Sequence, residues 1–173
     1  MRNILAIVGL IVAAVVIGTF VFLYGGNTFP NRSSLAPAYN NNPPDKTTVP
    51  FTELAHGAHS SISVRANYLI TSAGQLSELW KMIDAGGQTP DVDFATQSVI
   101  ALFAGQKPTA GYTIAVSKVE DAATRDVTIT LTSPGGSCLL AQSLTAPYQV
   151  VELPKTSLAF THKDLATTLS CLQ

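Results

Sequence analysis

The apolar positions of this chain fall into two regimes. Ile4 to Leu23 is an unbroken run of about 20 residues without a charge, the length that carries a helix across roughly 30 Å of hydrocarbon. The run continues through Thr19-Phe20-Val21-Phe22-Leu23-Tyr24, longer than the apolar core of a cleaved signal peptide. Residues 1–24 are therefore expected to form an uncleaved signal anchor, a single transmembrane helix touching the lipid bilayer through Ile4 to Leu23. Arg2 biases the short N-terminal end to the cytoplasm and everything after Tyr24 to the outside of a bacterial envelope. Cleavage would make the same protein secreted. From Gly25 to Pro50 the pattern dissolves into Gly25-Gly26, Asn40-Asn41-Asn42-Pro43-Pro44 and scattered Ser and Thr. Such a composition cannot bury enough surface to offset its ordering entropy, so residues 25–50 are expected to be a flexible linker.

Beyond Pro50 the apolar residues recur with short periods, and residues 51–173 are long enough for one domain with a core of its own. From Ser63 to Ile70, Val64, Ala66, Tyr68 and Ile70 alternate with polar residues, the period of a half-buried strand. The period then changes. Thr71 or Ser72 can cap a helix whose Leu76, Leu79, Trp80 and Ile83 recur at helical spacing, with Gly86-Gly87 ending it. Val99, Ile100, Leu102 and Phe103 form a nearly continuous β-branched run, which reads as a strand buried on both faces. Tyr112 to Val119 and Asp126 to Thr132 alternate around a polar connection, Glu120 to Arg125, and predict a hairpin. Leu144 to Leu153 is a strand interrupted by Pro147, which excludes it from a central ladder and implies an edge or a bulge. Ser157 to Thr161 is a last short strand. The expected fold class is mainly β, an antiparallel sandwich or open barrel with one covering helix.

Ten basic and eleven acidic residues leave the chain near neutral, with no basic stripe, which argues against nucleic acid as a partner. No phosphate loop, dinucleotide fingerprint or nucleophile elbow is present, so neither a cofactor nor an enzymatic activity is expected. His56 and His59 form H-x-x-H in an extended segment, where positions three apart point to opposite faces, a poor metal site. Asp91, Asp93, Glu120 and Asp121 fall in or beside turns and read as solvated carboxylates. Cys138 and Cys171 are the only cysteines. In an exported domain two cysteines mostly pair, and this bridge would close a loop of about 34 residues and stabilise by roughly 2 to 4 kcal/mol. Two buried free thiols are the alternative.

Two turns are marked by proline and glycine: Lys107-Pro108-Thr109-Ala110-Gly111-Tyr112 and Pro134-Gly135-Gly136-Ser137. Pro108 fixes φ and Gly111 is free to take φ > 0, so the first turn is expected to hold one shape. Together with the strand Val99 to Phe103, Cys138 and Ala146-Pro147-Tyr148, these stretches resemble the C-terminal domain of the PrcB family, over roughly Tyr68 to Phe160. The departure is Ala110, where that family usually has a second glycine. The resemblance implies an extracytoplasmic binding module, in its namesake an accessory to a secreted protease, without catalysis of its own. Lys107 to Tyr112, with Pro134, Gly135 and Gly136 beside them, are the expected contact residues for a protein partner outside the membrane. Pro108 to Tyr112 also resembles the N-P-T-T-G-Y loop of chagasin-type inhibitors of cysteine proteases, which makes inhibition the alternative. The R-P-[WF] turn of that family is missing, and only Gly135-Gly136 resembles its glycine turn. A cell-surface domain for another envelope ligand is a third reading.

Overall fold

The computed structural model describes residues 45–171. Eight strands and one helix follow in the order β1 (Thr47–Thr48), β2 (Thr52–Gly57), β3 (Ala66–Ile70), α1 (Ala73–Trp80), β4 (Gln97–Phe103), β5 (Thr113–Asp121), β6 (Arg125–Pro134), β7 (Tyr148–Pro154) and β8 (Phe160–Leu169). They build two four-stranded sheets, β1-β5-β6-β8 and β2-β7-β4-β3. Every pairing is antiparallel except β6 with β8, which is parallel. The fold class is mainly β with one short helix, as the periodicity predicts. The expected transmembrane helix at Ile4–Leu23 lies outside the described residues. Among the described residues no helix is long and apolar enough to cross a membrane.

The continuous apolar run of β4 has a simple cause, because alternate residues feed two separate cores. Ile100 and Leu102 point between the sheets, where they pack with Ile114, Val116, Val127 and Ile129 of the opposite sheet. Val99, Ala101 and Phe103 point the other way and pack under α1 with Leu76, Leu79 and Val150. A strand covered on both faces has no polar side to alternate with. Helix α1 starts where expected, with Ser72 as N-cap accepting from the Gln75 amide, while Gln75 Oε1 takes the Thr71 N–H at 2.8 Å. It ends at Trp80, six residues before Gly86, because Ile83 leaves the helix to bridge Ser60. Leu76 and Leu79, each 1% exposed, carry the buried stripe, and Trp80 flanks it half-buried.

The structure departs from the sequence reading in several places, each for a physical reason. The domain reaches back before Phe51: Thr47 and Thr48 pair with Asp121 and Glu120, and Val49 enters the core between the sheets. β2 contains His56 of the stretch that reads as extended, though a register shift between Glu53 and Ala55 breaks the alternation that would mark it as a strand. β3 is shorter than expected, and Val64 and Tyr68 are exposed, since β3 is a sheet edge and only Ile70 is buried. Pro147 does not place its strand at an edge. It stands just before β7, which lies centrally between β2 and β4 and starts pairing at Tyr148. The last strand is ten residues long rather than five, and it runs parallel to β6 with almost every residue exposed, so no burial pattern marks it. The connection between β5 and β6 shrinks to three residues, because Arg125 already belongs to β6 and is buried.

Candidate functional site

The expected recognition turn leaves β4 through Ala104 and Gly105, both buried. Gly105 takes φ 73°, and a Cβ there would meet the Arg65 amide nitrogen at 2.9 Å, so backbone approaches backbone where no side chain fits. Lys107 then forms a two-way bridge with Thr145, its N–H donating to the Thr145 carbonyl at 2.7 Å and its carbonyl accepting at 3.0 Å. Thr145 Oγ1 donates to the Thr109 carbonyl at 3.0 Å, and the Ala110 N–H donates to the Ala141 carbonyl at 3.2 Å. The turn is thus fastened to the chain before β7 along its length. Ala110 needs no left-handed backbone, since among the described residues no non-glycine residue has positive φ.

Gly111 has φ 90°, and a Cβ on it would come within 3.2 Å of both Leu140 Cδ2 and Pro134 Cβ. That contact places the two predicted turns side by side. The second turn is tied down in its own way: the Gly135 N–H donates to the Leu169 carbonyl at 2.9 Å, the Cys138 N–H to the Gly135 carbonyl at 3.1 Å, and Gly136 is exposed. Cys138 and Cys171 form the disulfide. Gly111→Val combines a strained left-handed backbone with two close contacts, and we expect it to lose about 2 to 4 kcal/mol. Thermal unfolding checks this, and an unchanged Tm would mean that the turn relaxes without its glycine.

Tyr112 neither projects fully nor enters the core. It is half-buried, with Lys107 Nζ 5.8 Å from its ring centroid, and forms one wall of a groove of about 360 Å³. Ile114 of β5 continues that wall, Pro147 and Gln149 make the floor, and Glu53 and His56 of β2 stand opposite. Gln149 is 7% exposed and bonded at both ends of its amide: its Oε1 accepts the Val116 N–H at 2.7 Å, and its Nε2 donates to Glu53 Oε2. The other Glu53 oxygen lies 2.7 Å from His56 Nδ1. These bonds, the one from Gln149 first, hold the Glu53 carboxyl below the usual carboxylate range and keep it ionised. Below the floor, Gly57 crosses the Tyr148 ring, where a Cβ would sit 2.6 Å from Cε1. Burial, with the Asp84 carboxylate second, pushes the Tyr148 hydroxyl up to about 12.

Glu53 and Gln149 were not legible as site residues, because one sits beside the β-bulge and the other reads as a polar lapse in an apolar strand. Among the described residues no three His, Cys, Asp or Glu side chains converge on a metal position. What the arrangement supplies is a stiff double turn, a half-exposed aromatic ring and an anionic groove wall, which are means of recognition.

The fold and site thus define a two-sheet β module that carries braced surface turns at one end. Residues 98–154, from β4 to the end of β7, match the family model described as PrcB C-terminal, which confirms the resemblance over the stretch that contains both turns. No curated protein and no solved structure matches the chain.

Proposed function

We propose that this protein is a non-catalytic, protein-binding module held outside the cytoplasm by Ile4 to Leu23, and that it serves as an accessory subunit of an envelope or secreted protease. The observation that carries this reading is the bracing of Lys107 to Tyr112 against Thr145 and Ala141 within the family-matched stretch. A surface turn fixed in this way presents its groups without paying ordering entropy when a partner docks. Tyr112 offers contact area at low rotamer cost, and Lys107 and Thr109 supply charge and hydrogen bonding at the rim.

The test uses the full-length protein in membranes and a crosslinked pull-down with an untagged control. The double variant Lys107→Ala with Thr109→Ala should unfold at the wild-type temperature and capture its partner at least about tenfold less well, a loss of about 1.4 kcal/mol. Undiminished capture would move the binding face elsewhere. Inhibition of a papain-like protease by the wild-type protein, lost in the same variant, would replace the accessory role by the inhibitory one.

A further inference from the structure

The groove beside Tyr112 exists because one strand of its sheet is too short. β1 covers only Glu120 and Asp121 of β5, with the Val49 N–H added on the Val119 carbonyl at 2.9 Å. The chain then crosses to β2, and among the described residues Thr113 to Val116 carry no strand on that side. Strand alternation turns the peptide groups of Ile114 and Val116 away from β6 and toward this opening. The Val116 N–H is met by the side-chain amide of Gln149, which stands where the peptide group of a neighbouring strand would be. Among the described residues no such substitute meets the Ile114 groups, and Ile114, 3% exposed with its side chain in the core between the sheets, lines the groove. Glu53 puts an ionised carboxylate on the facing wall, 42% exposed along its side chain.

We propose, resting on the protein-binding reading, that this groove takes an extended segment of a partner protein, pairing in β fashion with Ile114 and setting a lysine or arginine against Glu53. The added strand continues the place that β1 already occupies in the sheet, so it extends an existing ladder rather than opening a new face. Main-chain pairing is indifferent to sequence, and the carboxylate supplies the selection: a basic side chain satisfies it, an acidic one is repelled. His56, which now shares that carboxylate at 2.7 Å, is the group the incoming cation displaces.

The experiment uses the full-length protein in detergent micelles and three blocked peptides. One has the sequence Thr-Val-Thr-Lys-Val-Thr, the second has glutamate for lysine, and the third is the lysine peptide methylated on alternate backbone nitrogens. Amide exchange is followed by NMR. The lysine peptide should slow exchange at Ile114 and bind at least about tenfold more tightly than the glutamate peptide, and the methylated peptide should not bind. Glu53→Gln should keep the protection at Ile114 while the preference for lysine falls to about twofold or less. Protection that appears only at β3 or β8, equal binding of the methylated peptide, or a lysine preference unchanged in Glu53→Gln would overturn the proposal. Capture lost in the Lys107 and Thr109 variant, with no peptide bound, would leave the protein-binding reading standing and remove only the groove.

Discussion

Arg125→Ala is expected to lose about 2 to 3 kcal/mol of folding stability, because it removes the packing and charge-assisted hydrogen bonds of a buried guanidinium while the Asp121 carboxylate it leaves, 26% exposed along its side chain, can rehydrate. Arg125 is 2% exposed, although it opens a strand beside a three-residue turn. Its guanidinium forks onto both oxygens of Asp121 at 2.7 Å, its Nη1 donates to the Pro154 carbonyl of the opposite sheet, and its Cζ lies 5.7 Å from the Phe160 ring centroid. One side chain therefore joins the ends of β5, β7 and β8. The Arg125 hydrogen bond first, with its charge, holds the Asp121 carboxyl below its usual range. Because the folded value is lowered, the stability it contributes is complete at neutral pH, above the unfolded value of 3.8, and is lost as pH falls through the folded value. Urea unfolding of wild type and variant measures both effects. The variant should be less stable at neutral pH and should lose less on acidification below about pH 4. A difference under about 1 kcal/mol at neutral pH would show that the pair contributes no more than a surface bridge.

That pair also shows where sequence reading stops. A polar stretch such as Glu120 to Arg125 looks like a solvated connection, and nothing in its residue types says that the arginine folds inward onto a carbonyl from another sheet. Burial of this kind is set by tertiary geometry. By contrast β4 was legible, since Val99 to Phe103 has no polar alternation to hide its double coverage, and so was the helix start at Ser72, where capping is a local matter. Proline misled at position 147 because its missing N–H forbids only the ladder position it occupies, and the ladder begins one residue later. β8 was invisible beyond Thr161 for the opposite reason: His162 to Leu169 is exposed on both faces, and its strand character comes from pairing with β6, which leaves no trace in hydropathy. In the candidate site the turns were legible from Pro108, Gly111 and Pro134. The groove was not, because it is the space left by a short β1.

Removing the disulfide by Cys138→Ser with Cys171→Ser is expected to cost about 3 to 4 kcal/mol, the loop-closure value for a separation of 33 residues. The bond joins the turn after β6 to the residues after β8, with the two Cα atoms 5.2 Å apart. β8 depends on it more than any other strand does. Its inward side contributes little to the core beyond Phe160, and its fastenings across the sheets reduce to Arg65 with Asp164, both Arg65 Nη2 distances being 3.1 Å. What else holds it is the ladder to β6, with the Thr132 and Thr167 hydroxyls 3.0 Å apart, the Ser133 hydroxyl donating to the Thr167 carbonyl at 3.3 Å and the Thr161 hydroxyl to Asp126, and the Gly135 to Leu169 hydrogen bond at the same end as the disulfide. Without the covalent tie, opening should start at Leu169 and run back toward Asp164, while β4 and β7, buried on both faces, stay closed until the whole unit unfolds. Hydrogen exchange separates these events: amides of Ala166 to Leu169 should exchange at least about tenfold faster in the double variant, with Val99 to Phe103 tracking global stability. The second turn should loosen with them, since Gly135 loses its partner, and Gly111 beside Pro134 should follow in part. Unchanged exchange in β8 together with unchanged global stability would mean that the ladder to β6 alone holds the strand, and that the disulfide adds nothing to the scaffold under the recognition turns.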